Sequence, residues 1–298
     1  MESRQSAPIC RASDKNAPDP PPAPTLPRAA CLPINRCNLP AIILGSLTFQ
    51  ESPAPLELDG VRDLYRDLFD RLDAIAAPAR RAEIFRDYIT VHFRFEHLEE
   101  AGLTAATKQR GGRSKADYIR MIRGWSFAAD SREGAVLKSW VESRFGLTPR
   151  HHGEALRDFS GFAYRRYLEM RARGLYGTNA LEAQFDLVYT YCQYELTRQT
   201  PALRHLTLYR GVNRLGEFER LPEFTAPRLD GSQVLLLNNL NSLTGTRERA
   251  GEFGDTILTL RVPTAKVFFH CHLLPGILQG EDEYLVIGGV YSVHGTTF

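Results

Sequence analysis

A chain of 298 residues with 43% hydrophobic and 24% charged side chains can bury the core of one large domain or two modest ones. A formal net charge of +2 gives no global case for binding nucleic acid or an anionic membrane. No apolar run approaches the roughly 20 residues of a membrane span; the greasiest early stretch, Ala41 to Leu44, is far too short.

Residues 1–31 read as a disordered leader. Seven of the 18 prolines lie there, including Pro20-Pro21-Pro22, and such a segment buries too little apolar surface to offset the entropy of ordering. Arg4, Arg11 and Lys15 are not followed by the apolar stretch of a secretory signal. The five cysteines, Cys10, Cys31, Cys37, Cys192 and Cys271, are odd in number and irregular in spacing. That argues against a disulfide framework and points to a reducing cytoplasm. Folded structure is expected from Leu32.

Residues 32–200 read as mainly helical. Leu58, Val61, Leu64, Tyr65, Leu68, Leu72 and Ile75 recur at helical spacing, and Pro78 ends or restarts the chain. Further helices are predicted over Ile84 to Val91, around Tyr118, Ile119 and Ile122, and from Asp130 or Ser131 to Gly146. Asp130 with Glu133 fits a capping box, as does Asn179 with Glu182 before Ala183 to Leu196. Leu156 to Met170 makes one more.

From residue 201 to 298 the pattern turns to short β-like runs. Leu206 to Arg210, Val234 to Leu237, Thr256 to Val262, Lys266 to His270, Tyr284 to Ile287 and Gly289 to Val293 are candidate strands, with a helical turn at Arg249-Ala250. Helices first and strands afterwards predict an α+β fold.

Three pieces of this last region carry the chemistry. Arg210 closes a strand and is followed by Gly211; a guanidinium fork suits a pyrophosphate, and a glycine lets a ligand carboxamide approach the backbone. Ser242 and Thr244 share a face if their segment is extended, where hydroxyls could bind a ribose or support a carboxylate. Glu281 and Glu283 obey the same period, although like charges so close repel. Read singly, each has a plain structural alternative: a surface turn, a polar turn, a solvated acidic turn. Read together, they suggest chemistry at the ribose of a dinucleotide such as NAD. Breaking the nicotinamide–ribose bond puts positive charge on the sugar, which Glu283 could stabilise. Glu281 could orient an incoming guanidinium, a poor nucleophile while protonated.

In this arrangement the chain resembles the arginine-specific mono-ADP-ribosyltransferases of the Arg-Ser-Glu class. Further stretches, Tyr88-Ile89-Thr90-Val91-His92-Phe93-Arg94, Glu96-His97-Leu98-Glu99-Glu100-Ala101-Gly102, Leu208-Tyr209-Arg210-Gly211 and Arg247-Glu248-Arg249-Ala250, are similar to the dinitrogenase reductase ADP-ribosyltransferase family, from about Leu32 to the C-terminus. The resemblance implies a helical region packed on a split-sheet catalytic core. It implies NAD as co-substrate, no metal, and transfer of ADP-ribose to an arginine of dinitrogenase reductase, which switches nitrogen fixation off. It implies a PII signal-transduction protein as regulator. It assigns Arg210 to the NAD phosphates or adjacent ribose and Gly211 to the nicotinamide amide. Ser242, with Thr244 in support, would order the ribose and Glu283, and Phe253 would form an aromatic wall. Glu281 and Glu283 are the implied catalytic pair, and the loop Leu274 to Gly280 would face the acceptor. The Ser242 motif reads Ser-Leu-Thr where Ser-Thr-Ser is more common, so the middle hydroxyl is missing.

Two other functions stay open at this point: an NAD glycohydrolase using water, and a non-catalytic NAD sensor. The basic cluster Lys108, Arg110, Arg113 and Lys115 reads as a solvated loop or a contact for an acidic patch. His270-Cys271-His272 invites a zinc reading but lacks a second ligand pair. His151-His152 reads as a surface pair at a helix entry. Neither GxGxxG nor GxxxxGK[ST] occurs, which fits NAD as a substrate outside a Rossmann domain. No exposed heptad stands out, so a monomer is expected.

Overall fold

A computed structural model describes residues 25–95, 117–175, 180–213, 218–221, 230–278 and 282–297. Residues ahead of Leu32 are packed: Leu26 and Ala30 are buried, and Cys31 bridges to Leu147. The last residues of the expected leader thus pack on the fold, because Leu26 has an apolar face to fill. Two short helices follow, α1 (Ala41–Leu44) and α2 (Leu47–Glu51).

The predicted helix over 58–75 is broken at Tyr65 into α3 (Val61–Leu64) and α4 (Arg66–Asp73). Tyr65 leaves helical geometry, with φ −107° and ψ 30°, while its ring stays buried. α5 (Pro78–His92) starts on Pro78, which has no N–H to leave unpaired in the first turn. α6 (Tyr118–Phe127) is capped by the Asp117 side chain, and α7 (Arg132–Phe145) by Ser131 rather than Asp130. Gly146, at φ 69°, ends α7 in the left-handed region as its composition predicts.

The predicted helix from Leu156 starts later, as α8 (Phe162–Leu175). Before it, β1 (His151–His152) and β2 (Glu154–Ala155) form a small hairpin about Gly153, and Asp158 closes a turn on Ser160. His152 is buried in that hairpin, so the His pair is not at a helix entry. α9 (Leu181–Gln199) is preceded by Ala180 in left-handed geometry; Asn179 lies outside the described residues.

The C-terminal part forms an antiparallel sheet from β3 (His205–Val212), β4 (Glu219–Arg220), β5 (Gln233–Thr244), β6 (Thr256–Pro263), β7 (Val267–His270) and β8 (Glu283–Thr297). The helices and this sheet make an α+β fold. β8 joins the two predicted terminal strands into one. Its first part pairs with β5 and β7, and its end with β6. Gly288 and Gly289 make this possible: a Cβ at Gly288 would sit 1.7 Å from the Asn238 carbonyl oxygen, and Gly289 has φ +115°. β3 pairs along β6 but meets β5 at the single pair Tyr209–Thr244 among the described residues.

One cluster of buried side chains runs from Leu26 to Val293 and so includes helices and sheet alike. Trp140 of α7 lies 4.6 Å from Phe268 of β7, ring to ring. Between α5 and α9 the Arg81 guanidinium grips Glu195 through two hydrogen bonds of 2.6 and 2.7 Å. Such a buried pair is costly to break by removing one partner.

Lys266 is fully buried in a single turn before β7, where a strand start is predicted. Its ammonium donates to the Gly288 carbonyl at 2.8 Å and lies 4.7 Å from the Tyr291 ring centroid. Burial pushes Lys266 down to about 7. An unfolded lysine titrates at about 10.4, so between those values the unfolded chain holds the extra proton and stability rises with pH. Lys266→Met is therefore expected to raise the thermal midpoint most below pH 7, with the gain shrinking as pH rises towards 10. An equal gain across that window, read by calorimetry, would mean that burial does not lower the Lys266 pKa in the native state.

Candidate active site

Tyr209, Thr244 and Glu283 stand abreast on β3, β5 and β8, as the register pairs Tyr209–Thr244 and Thr244–Glu283 show. At this level β3 and β5 part, and a cavity of about 310 Å³ opens. That volume lies within the roughly 300–1,000 Å³ typical of small-molecule sites. Its lining includes Arg210, Gly211, Ser242, Thr244, Phe253 and Glu283, six residues singled out from the sequence. Glu281 lies outside the described residues.

Glu283 opens β8 and is only 7% exposed. A buried carboxylate needs hydrogen bonds, and Glu283 has one on each oxygen. Ser242 Oγ donates to Oε1 and Ser126 Oγ to Oε2, both at 2.5 Å. Trp125 Nε1 in turn donates to Ser242 Oγ at 2.7 Å. The alternation of β5 explains why Ser242 reaches this point while Leu243, the residue that replaces the middle hydroxyl, is buried in the core. The Thr244 hydroxyl accepts from the Thr246 backbone at 3.3 Å and shapes the turn into α10 (Arg247–Gly251).

Arg210 does not close its strand, since β3 runs on to Val212. Its Nη1 donates to Asn241 Oδ1 at 3.4 Å, and its guanidinium lies 5.9 Å from the Phe218 ring centroid. Arg249, on the predicted helical turn, lines the same cavity, so two guanidinium groups share its wall. Phe253 lies on the rim and is 61% exposed, leaving an aromatic face open to a planar ligand.

Trp125 and Ser126 were not singled out by sequence reading. They lie on α6, 117 and 157 positions from their partners Ser242 and Glu283, and nothing in the local pattern marks them. Behind Trp125 sits Lys138 of α7, 5.7 Å from its ring and paired with Asp130 at 2.8 Å. Burial lowers the Lys138 ammonium against the pull of Asp130. Burial would raise the Asp130 carboxyl, but the hydrogen bond with His151 and the Lys138 charge hold it well below the usual range.

The His-Cys-His stretch does not act as one group. Burial pushes His270 down to about 4, and its ring stacks on Tyr284 at 5.6 Å. Cys271, His272 and Asp282 instead place one donor atom each within 4.8 Å of one another. Among the described residues, no helix is long and apolar enough to cross a membrane.

The family model for dinitrogenase reductase ADP-ribosyltransferase matches residues 34–295. The chain belongs to the dinitrogenase reductase ADP-ribosyltransferase family. It is also 38% identical over 265 residues to the NAD(+)–dinitrogen-reductase ADP-D-ribosyltransferase of Rhodospirillum rubrum, covering 87% of this chain and 93% of that one. No solved structure matches. In this member of the family, the matched stretch takes in both α6 and the sheet.

Gly211 is where α10 meets β3. A Cβ there would lie 1.9 Å from the Ala250 carbonyl oxygen and 3.0 Å from the Gly254 nitrogen. The obstacle is backbone, so trimming a side chain cannot relieve it. Gly211→Ala is expected to lower stability by roughly 1–3 kcal/mol in urea unfolding, and Ala250→Gly should not restore it. Full stability of Gly211→Ala would place α10 farther from β3 than described.

Proposed function

We propose that this chain transfers ADP-ribose from NAD to an arginine of dinitrogenase reductase, inactivating it and switching nitrogen fixation off. The observation that carries the reading is the Ser242–Glu283 hydrogen bond beside Arg210 in one cavity, in a chain of this family. In this reading the sheet is the split core of an ADP-ribosyltransferase. Residues 201–298 carry the NAD site, and residues 32–200 form the helical region beside it.

NAD binds with its diphosphate against Arg210, Arg249 adding a second cation. The nicotinamide amide meets the backbone at Gly211, and Phe253 covers its ring. The bond from the ribose carbon to the nicotinamide nitrogen breaks, and its electron pair leaves with neutral nicotinamide. Glu283, oriented by Ser242, accepts a hydrogen bond from a ribose hydroxyl and stabilises the positive charge growing on the sugar. Glu281 holds the target guanidinium, takes its proton and aims the freed nitrogen at the same carbon. The products are ADP-ribosylated arginine, nicotinamide and one proton. A PII signal-transduction protein as regulator, a monomeric state and a cytoplasmic setting complete the reading.

Incubation with labelled NAD and purified dinitrogenase reductase tests it. Glu283→Gln is expected to lower both labelling and nicotinamide release by at least about 100-fold without lowering the thermal midpoint. Glu281→Gln should lose the label on the target yet still release nicotinamide and free ADP-ribose. Near-normal labelling by the Glu283 variant would remove that residue from the chemistry. Equal loss of both products by the Glu281 variant would remove its role at the acceptor. Free ADP-ribose alone from the unaltered chain would indicate a glycohydrolase, and bound but intact NAD a sensor.

A further inference from the structure

Helix α6 lies outside the sheet, yet three of its side chains reach the surroundings of the glutamate. Arg123 donates to the Ile277 carbonyl at 2.9 Å and the Gly276 carbonyl at 3.1 Å, on the loop that leads from β7 towards β8. Trp125 donates to Ser242, and Ser126 to Glu283. We infer that Ser126 is a positioning residue for the transfer reaction, fixing the plane of the Glu283 carboxylate, while Trp125 sets the direction of the Ser242 hydroxyl. The inference rests on the function proposed above.

The argument is geometric. A carboxylate held through one oxygen can pivot about that bond. A second donor on the other oxygen removes the rotation, so the lone pairs that remain point one way. Those lone pairs are what a ribose hydroxyl needs, and a fixed acceptor loses no orientation during reaction.

The donor roles are also fixed. An indole N–H can only donate. Ser242 Oγ must therefore accept from Trp125, which leaves its single proton for Glu283. The Ser126 proton has two acceptors within reach, the Ile122 carbonyl at 3.3 Å and Glu283 Oε2 at 2.5 Å. The shorter bond to the charged oxygen is the stronger. Trp125 is itself buried and backed by Lys138, so the indole has little room to turn.

The test uses the full chain with NAD, measuring arginine labelling on dinitrogenase reductase and nicotinamide release without acceptor. Ser126→Ala is expected to lower kcat for both by a similar factor, roughly 10- to 100-fold, because Glu283 serves both. The KM for NAD should stay close to the unaltered value, while the thermal midpoint falls modestly because one buried carboxylate oxygen loses its donor, the protein remaining folded at the assay temperature. Ser126→Thr, which keeps the hydroxyl, should recover most of the rate. A wild-type kcat in Ser126→Ala overturns the inference, as does loss of labelling with hydrolysis intact, or no recovery in a folded Ser126→Thr. If the unaltered chain releases no nicotinamide, the proposed function fails and the inference with it. Turnover by the unaltered chain with an unaffected Ser126→Ala sinks the inference alone.

Discussion

The arrangement of this molecule turns on a carboxylate kept out of water. Glu283 is 7% exposed and sits at the first position of β8. Burying a charge is tolerable only where polar groups replace the lost water. Two hydroxyls do so, one from the neighbouring strand and one from a helix. The requirement reaches outward from there. The Ser242 hydroxyl needs a fixed orientation, which the Trp125 indole gives it. The indole needs a rigid back, which Lys138 and the packed α7 give it. Lys138 is buried too and needs a counter-charge, which Asp130 supplies.

The register of β5 carries the same demand. Its side chains alternate, so a slip of one residue would turn Ser242 to the opposite face of the sheet and away from Glu283. The register shifts between Leu237 and Leu240, where Asn238 and Asn239 occupy an irregularity. Asn238 accepts from the Arg150 backbone and donates to the His151 carbonyl, both at 2.9 Å. Asn239 donates to the carbonyls of Lys138 at 2.7 Å and Leu147 at 3.0 Å. These amides tie the strand to α7 and the hairpin at one point along its length. From that pinned point, the count along β5 puts Ser242 opposite Leu285 and Thr244 opposite Glu283.

Much of this was legible in the sequence because it follows from period and from local signals. Alternation alone puts Ser242 and Thr244 on one face. Ser131 and Gly146 bracket α7 as cap and stop, and Arg249-Ala250 sits on the expected turn. The misreadings share a cause, which is tertiary contact overriding a local pattern. Gly288-Gly289 reads as a break between strands, but the glycines are there because neighbouring backbone leaves no room for a side chain. Leu156 to Gly161 fits a helix by composition, yet a hairpin and an Asp158 turn take the space. Leu26, in a proline-rich stretch, is held by a core that only the folded chain creates. Trp125 and Ser126 were invisible for the same reason. A tryptophan and a serine on a helix are unremarkable until the fold sets them against Ser242 and Glu283.

The change in texture near residue 200 therefore separates two kinds of secondary structure but not two cores. β7 is packed on the helices: Phe268 meets Trp140 and Phe185, and Gln193 of α9 donates to the Val267 carbonyl at 2.7 Å. Removing the helices would uncover the apolar side of β7 and leave Glu283 with a hydroxyl on one oxygen in place of two. Strand geometry can place a serine and a glutamate within reach on diagonal positions of adjacent strands, about 7–8 Å apart and close enough for a long side chain to span. It cannot supply a second donor from above the sheet. That donor must come from another layer, and in this chain it comes from α6. The sheet supplies the residues that make the site recognisable, and the helices hold its carboxylate in one orientation.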